Sequence, residues 1–167
     1  MGAGKSTVGK ALSKALNSTF IDLDTLIEIR CNLSIKEIFN RKGEAFFRKM
    51  ETEALNELLT KHENAIIALG GGTLIKEENR IAIHANGKIV YLETSPEKIL
   101  KRIKLDSIKR PLLSKFSDDS ELLNYINSHL KERLKFYQEA DNEFCTDDKT
   151  VNDIVKELTL ITKDWLK

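Results

Sequence analysis

The chain opens on Met1-Gly2-Ala3-Gly4-Lys5-Ser6-Thr7, and Val8, Ala11, Leu12, Ala15 and Leu16 then recur at helical spacing. Gly-Lys-Ser at the mouth of an amphipathic helix fills the last three places of the pattern G-x-x-x-x-G-K-[ST], a loop that runs from a strand into a helix and wraps phosphates in backbone N–H groups. That pattern places the segment between a strand and a helix. Gly4, Lys5 and Ser6 sit at a helix start, where anions are favoured, so nucleotide phosphate is the expected ligand. Lys5 would neutralise charge on a transferring phosphoryl group and the Ser6 hydroxyl would ligate Mg²⁺. A flexible basic N-terminus is the competing reading, and it does not explain why these residues sit at a helix start.

The rest of the sequence alternates short apolar runs with amphipathic stretches. Phe20-Ile21-Asp22-Leu23-Asp24 alternates apolar and acidic residues, as a strand ending at a polar site would, with a helix from Thr25. Ser34 and Glu37 form a capping box for a helix that Gly43 can terminate, and Phe47, Met50, Ala54 and Leu58 face the core from the next one. Ala65-Ile66-Ile67-Ala68-Leu69 is wholly apolar and stops at Gly70-Gly71-Gly72, which reads as a buried parallel strand entering a tight loop. Ile75 to Ala85 reads as helix, Ile89 to Leu92 as a second buried strand, and Ser95-Pro96-Glu97 as a helix start. Residues 105–120 break periodicity and read as a mobile loop. Leu123, Ile126, Leu130, Leu134 and Tyr137 line a long helix, Glu143 to Thr146 suits an edge strand, and Val151 to Trp165 closes the chain with another helix. Strands alternating with helices predict a three-layer α/β/α fold around a parallel sheet.

Composition narrows the function. The 167 residues suit one domain, and 27 Lys and Arg against 26 Asp and Glu leave a formal net charge of +1. No broad basic field for nucleic acid or an anionic membrane follows from that balance, so a small ligand is the expected partner. No apolar run approaches bilayer length and no leader precedes a cleavage site, which reads as a cytoplasmic protein. Cys31 and Cys145 match no metal spacing and receive no role; His62, His84 and His129 read as surface or helix-end residues.

Several side chains are then candidates for chemistry. Asp22 and Asp24, two apart on an extended segment, point to one side; one could support a metal's water shell while the other orients an acceptor hydroxyl or takes its proton. A solvated strand end with a helix N-cap is the alternative for the pair taken alone. Arg48, with Glu51 three residues on, is either a surface pair or an oriented guanidinium able to grip a carboxylate or phosphate. Gly70, Gly71 and Gly72 permit a ligand to lie against bare backbone, or form only a tight turn. Arg110, in the aperiodic loop, could swing over a nucleotide and help exclude water, or belong to a solvated charge cluster. Arg133, four residues before Tyr137, is a surface residue or a second anion clamp.

The series M-G-A-G-K-S-T, F-I-D-L-D, S-I-K-E-I-F, G-E-A-F-F-R-K-M-E, A-L-G-G-G, I-V-Y-L-E-T, K-R-P-L-L and E-R-L-K-F-Y resembles, in order and over essentially the whole chain, the shikimate kinase family of small P-loop kinases. The resemblance implies a single domain over 1–167 with a nucleoside-monophosphate-kinase-like core and a lid at about 105–120. The implied activity is transfer of the γ-phosphoryl group of Mg-ATP to the 3-hydroxyl of shikimate by a cytoplasmic monomer that binds neither nucleic acid nor membrane. It further implies that Gly2, Ala3, Gly4, Lys5, Ser6 and Thr7 bind the ATP phosphates, that Ser6 binds Mg²⁺ with Asp22 behind it, that Asp24 holds the shikimate hydroxyls, and that Arg48 and Arg133 hold its carboxylate beside the backbone around Gly71. Arg110 would be the lid arginine and Arg102 would lie beside the adenine. Family members carry a short segment before the Met-Gly-Ala-Gly-Lys stretch, comprising the central first strand and the first Gly of the loop. With that strand missing from this chain, the sheet is expected to have a slot between the strands ending at Leu69 and Leu92, the fold to be weak, and Met1 to be an internal methionine of the loop. A gluconate or nucleotide kinase of similar build, and a truncated non-catalytic nucleotide-binding protein, are the alternatives.

Overall fold

In the computed structural model, residues 2–105, 116 and 118–165 are described. Four short strands and seven α-helices are found among them. Helix α1 (Lys5–Ala15) starts where the glycine-rich segment ends, and strand β1 (Thr19–Asp22) follows. Asp22 then ends the strand, because its carboxylate accepts a hydrogen bond from Thr25 N and caps helix α2 (Leu23–Cys31). The sequence reading is corrected here: Asp24 lies in the first turn of α2, not on an extended segment, so it does not alternate with Asp22 along a strand.

Ser34 and Glu37 form the expected capping box at the start of helix α3 (Ile35–Lys61). Gly43 interrupts that helix with φ 82° and ψ 169°, so α3 is two helical pieces joined at a kink. The second piece buries Phe47, Glu51, Ala54, Leu55 and Leu58. Strand β2 (Ala65–Ala68) pairs in parallel with β1, Thr19 opposite Ala65 through Asp22 opposite Ala68. Ile66 and Ile67 are only half-buried, less than a wholly apolar run suggests, because β2 has a ladder on one edge alone among the described residues. A 3₁₀ turn (Thr73–Ile75) and helix α4 (Glu77–Asn86) follow the glycine triplet, so the helix starts two residues later than the sequence suggests.

Strand β3 (Val90–Glu93), helix α5 (Pro96–Leu105), helix α6 (Asp119–Tyr137) and strand β4 (Asn142–Cys145) come next, and β4 pairs in parallel with β3. Helix α7 (Val151–Thr162), capped by Thr150 and Asp153, ends the fold. The strands make two two-stranded parallel sheets, β1-β2 and β3-β4, and among the described residues no ladder joins β2 to β3.

The chain divides into two compact units: Lys5–Ile89 with Thr150–Lys167, and Met1–Gly4 with Val90–Lys149. In the first, Val8, Leu12, Leu23, Ile27, Leu55, Ile154 and Leu158 are buried. In the second, Ile99, Ile103, Leu122 and Ile126 form the core, flanked by Phe116, Tyr125 and Leu130. The buried line on α6 therefore runs through Leu122 and Ile126, while Leu134, expected on the apolar face, is 40% exposed. Of the loop expected at 105–120, Leu105 ends α5, Phe116 packs against the second core and Asp119 and Ser120 open α6, so the ends of that stretch are not loop; Lys109, Arg110 and Pro111 lie outside the described residues.

At Gly43 an added Cβ would meet no atom within 4 Å, so a substitution there is opposed by backbone strain alone. Gly43→Ala is expected to destabilise the protein by about 1–3 kcal/mol, read as a lower denaturation midpoint with an unchanged m-value.

Candidate active site

Gly2 and Gly4 have φ of 75° and 86°, a conformation that the loop's turning backbone needs and that side-chain-bearing residues avoid. In that same unit the Arg102 guanidinium donates from Nη1 to the Ala3 carbonyl at 3.2 Å, which ties α5 to the glycine-rich segment. Arg133 lies half-buried on α6, one turn after His129. The His129 ring packs 4.1 Å from the Tyr125 ring, and burial followed by the Arg133 charge holds its pKa below the usual histidine value. His129 is thus a packed mid-helix residue rather than the surface or helix-end residue the sequence suggested.

In the other unit, Lys5, Ser6, Asp22, Asp24, Arg48 and the glycine triplet come from α1, β1, α2, α3 and the loop after β2. Ser6 Oγ donates to Asp22 Oδ2 at 2.5 Å, while Asp22 Oδ1 caps α2. Helix capping thereby fixes the carboxylate that holds the loop's hydroxyl. Asp24 is half-buried. Burial first, then the Asp22 and Glu51 charges, raise its pKa above the ordinary carboxylate value, with Lys5 opposing them. A carboxyl so placed is a better proton acceptor than a solvated one.

Arg48 is held from several sides. Its Nη1 donates at 2.8 Å to Oε2 of Glu51, which is 1% exposed, and its Nε and Nη2 each reach Oε1 of the exposed Glu44 at 3.2 Å. Burial alone would lower the guanidinium's pKa, but the hydrogen bonds and charges of Glu51 and Glu44 prevail and raise it. A Cβ added to Gly72 would stand 2.6 Å from Arg48 Nη2 and 2.7 Å from Nη1, so only a glycine lets the guanidinium lie flat against this backbone. At Gly70 the same construction meets Asp24 Oδ1 at 2.9 Å and Glu51 Oε1 at 3.1 Å, so both carboxylates converge on one glycine. Arg48 is held in one orientation by Glu51, and the Cβ sides of Gly70 and Gly72 are taken by this chain's own side chains, Asp24, Glu51 and Arg48.

Sequence reasoning missed Thr73. Its hydroxyl donates to Glu51 Oε1 at 2.7 Å, both groups being buried. Its position directly after the glycine triplet was the available signal.

An exposed hydroxyl beside a carboxylate is a small set of hard oxygen donors, which suits Mg²⁺, an ion that keeps several waters and takes phosphate oxygens as further ligands. Among the described residues no group of three or more His, Cys, Asp or Glu side chains could cage a metal. The Ser6 hydroxyl and the Asp22 carboxylate are of the donor type that Mg²⁺ takes.

Parallel strands joined through helices, and a Gly-Lys-Ser loop opening α1 beside acidic side chains, define a P-loop kinase fold. A family model described as shikimate kinase matches residues 1–162. The chain is 41% identical over 159 residues to a shikimate kinase of Flavobacterium johnsoniae, covering 95% of this chain and 92% of that one. It is equally similar, over the same shares, to one from Alkaliphilus oremlandii. Among solved structures it is similar to shikimate kinase from Bacteroides thetaiotaomicron, with a TM-score of 0.90, 35% identity, and coverage of 98% of this chain and 94% of that one. Shikimate kinase from Acinetobacter baumannii in complex with shikimate matches with a TM-score of 0.85 and 36% identity, over 100% and 91% of the two chains. The chain belongs to the shikimate kinase family.

The raised Asp24 pKa has a sign that can be checked. A carboxyl whose folded pKa exceeds its unfolded value binds its proton more tightly in the folded state, so stability falls as pH rises from the unfolded pKa through the folded one. Asp24→Asn removes that buried charge and is expected to melt higher than the parent at neutral pH and no higher in acid. Carboxyl ¹³C titration should place Asp24 above the ordinary value, and higher again in Lys5→Met.

Proposed function

We propose that this chain transfers the γ-phosphoryl group of Mg-ATP to the 3-hydroxyl of shikimate. The observation that carries the reading is Arg48, pinned against Gly72 by a buried Glu51 in the same unit as Lys5 and a proton-hungry Asp24. A fixed guanidinium beside bare backbone suits a substrate carboxylate, and a carboxyl with raised pKa suits an acceptor hydroxyl.

In this reading the substrate carboxylate is bound by Arg48, with Arg133 as its second clamp, and the ring lies against the backbone of Gly70, Gly71 and Gly72. Asp24 orients the hydroxyl and accepts its proton as the oxygen–phosphorus bond forms and the bond to the ADP oxygen breaks. Gly2, Ala3, Gly4, Lys5, Ser6 and Thr7 bind the ATP phosphates, and Lys5 balances the charge that shifts to ADP. Ser6 holds Mg²⁺, with Asp22 behind it; the ion, when bound, neutralises phosphate charge and aligns its oxygens. Arg102 serves the adenine, and Arg110 closes with a lid at about 105–120 to keep water from the phosphoryl group. The chain works as one domain over 1–167 and as a cytoplasmic monomer. Among the described residues no helix is long and apolar enough to cross a membrane.

Shikimate-dependent release of ADP from Mg-ATP tests the assignment, with gluconate and nucleoside monophosphates as competing acceptors. Asp24→Asn is expected to lower kcat by about 10²–10⁴ with the KM for ATP unchanged, and Arg48→Ala to raise the KM for shikimate by roughly tenfold or more. ADP release that ignores shikimate, or that prefers gluconate, would overturn the assignment.

A further inference from the structure

We infer that Thr73 is a positioning residue that sets carboxylate selectivity by fixing Glu51 and, through it, Arg48. The inference deepens the reading of Arg48 given above and rests on it.

Arg48 has two acceptors to choose between. Glu51 is buried and takes Nη1 at 2.8 Å, whereas Glu44, on the solvent side with 65% of its side chain exposed, takes Nε and Nη2 at 3.2 Å. Which one governs the guanidinium depends on whether the Glu51 carboxylate is itself fixed. A carboxylate has a broad terminal torsion and is not locked by its own rotamer. Thr73 supplies the lock: its hydroxyl donates to Glu51 Oε1 at 2.7 Å, leaving Oε2 aimed at Arg48. Both oxygens of a buried anion are then engaged, the condition under which such a charge is tolerated away from water.

Thr73 is anchored in turn. It is fully buried at the start of the 3₁₀ turn, its N–H donates to the Gly70 carbonyl at 3.3 Å, and its own carbonyl accepts from Asn79 Nδ2 at 2.9 Å. Asn79 is fully buried, and among the described residues its Oδ1 has no hydrogen-bond partner. A buried orphan acceptor is a net cost to folding. What Asn79 supplies in return is a rigid Thr73 carbonyl, and so a Thr73 hydroxyl held in one direction. The line Asn79, Thr73, Glu51, Arg48 ends at Gly72, the residue whose missing Cβ leaves space for the guanidinium.

Thr73→Val keeps the shape and removes the donor, and Thr73→Ser keeps the donor. The first measurement needs no turnover: ¹⁵N–¹H spectra of the guanidinium groups in the whole chain, with Arg48 assigned from Arg48→Lys. Arg48 signals should be slow to exchange in the parent and in Thr73→Ser, and broadened or lost in Thr73→Val. The second measurement compares shikimate with an analogue bearing hydroxymethyl in place of the carboxylate. Thr73→Val should raise the KM for shikimate about tenfold, the worth of one hydrogen bond to a charged group. It should leave kcat, the KM for ATP and turnover of the neutral analogue within about twofold, well short of the shift in the shikimate KM. Thr73→Ser should restore the parent KM. Unchanged Arg48 signals in Thr73→Val, or equal losses on both acceptors, would overturn the inference. A parent chain that phosphorylates neither acceptor would count against the proposed function, and the guanidinium spectra would still decide on Thr73.

Discussion

A carboxylate removed from water needs a donor on each oxygen, and Glu51 is the carboxylate on which this arrangement turns. It sits in α3 with 1% exposure, pairs with Arg48 on one oxygen and Thr73 on the other, and adds its charge to those acting on Asp24. The kinked helix, the loop after β2 and the first turn of α2 therefore meet at one anion. Replacing either donor alone would leave a buried charge half-satisfied, a larger penalty than the pair itself is worth. Glu51 thus gives Arg48 a fixed direction more than it gives the fold stability.

The glycines complete that arrangement by what they lack. The space a side chain would take on Gly72 is filled by the Arg48 guanidinium, and the space on Gly70 is bounded by Asp24 and Glu51. Functional groups are brought into contact with main chain, where positions are set by hydrogen-bonded turns rather than by rotamers. The Thr73 N–H to Gly70 carbonyl and Ile75 N–H to Gly72 carbonyl bonds tie this loop directly into the 3₁₀ turn.

Local chemistry made much of this legible in the sequence. The start of α1 follows from Gly-Lys-Ser and the apolar period behind it, and the start of α3 from Ser34 and Glu37, because capping involves residues only three apart. Gly43 was readable as a break, although the helix resumes at once instead of ending. Asp24 misled because Phe20 to Asp24 alternates as a strand does; the deciding event is a side-chain bond from Asp22 to Thr25 N, which outweighs the alternation. The Thr73 to Glu51 bond spans 22 residues, and nothing in the neighbourhood of either residue announces the other. Leu134 failed as a core residue because the stripe on α6 can be drawn through two neighbouring phases, and only packing selects Leu122 and Ile126.

Asp22 performs two tasks with its two oxygens: one closes the first turn of α2 and the other receives the Ser6 hydroxyl. The frame that carries Asp24 is therefore bolted to the start of α1 through a single side chain. Any ligand that draws the Ser6 hydroxyl out of this contact changes the load on the α2 cap two residues before Asp24. The start of α1 and the first turn of α2 are in this sense mechanically continuous.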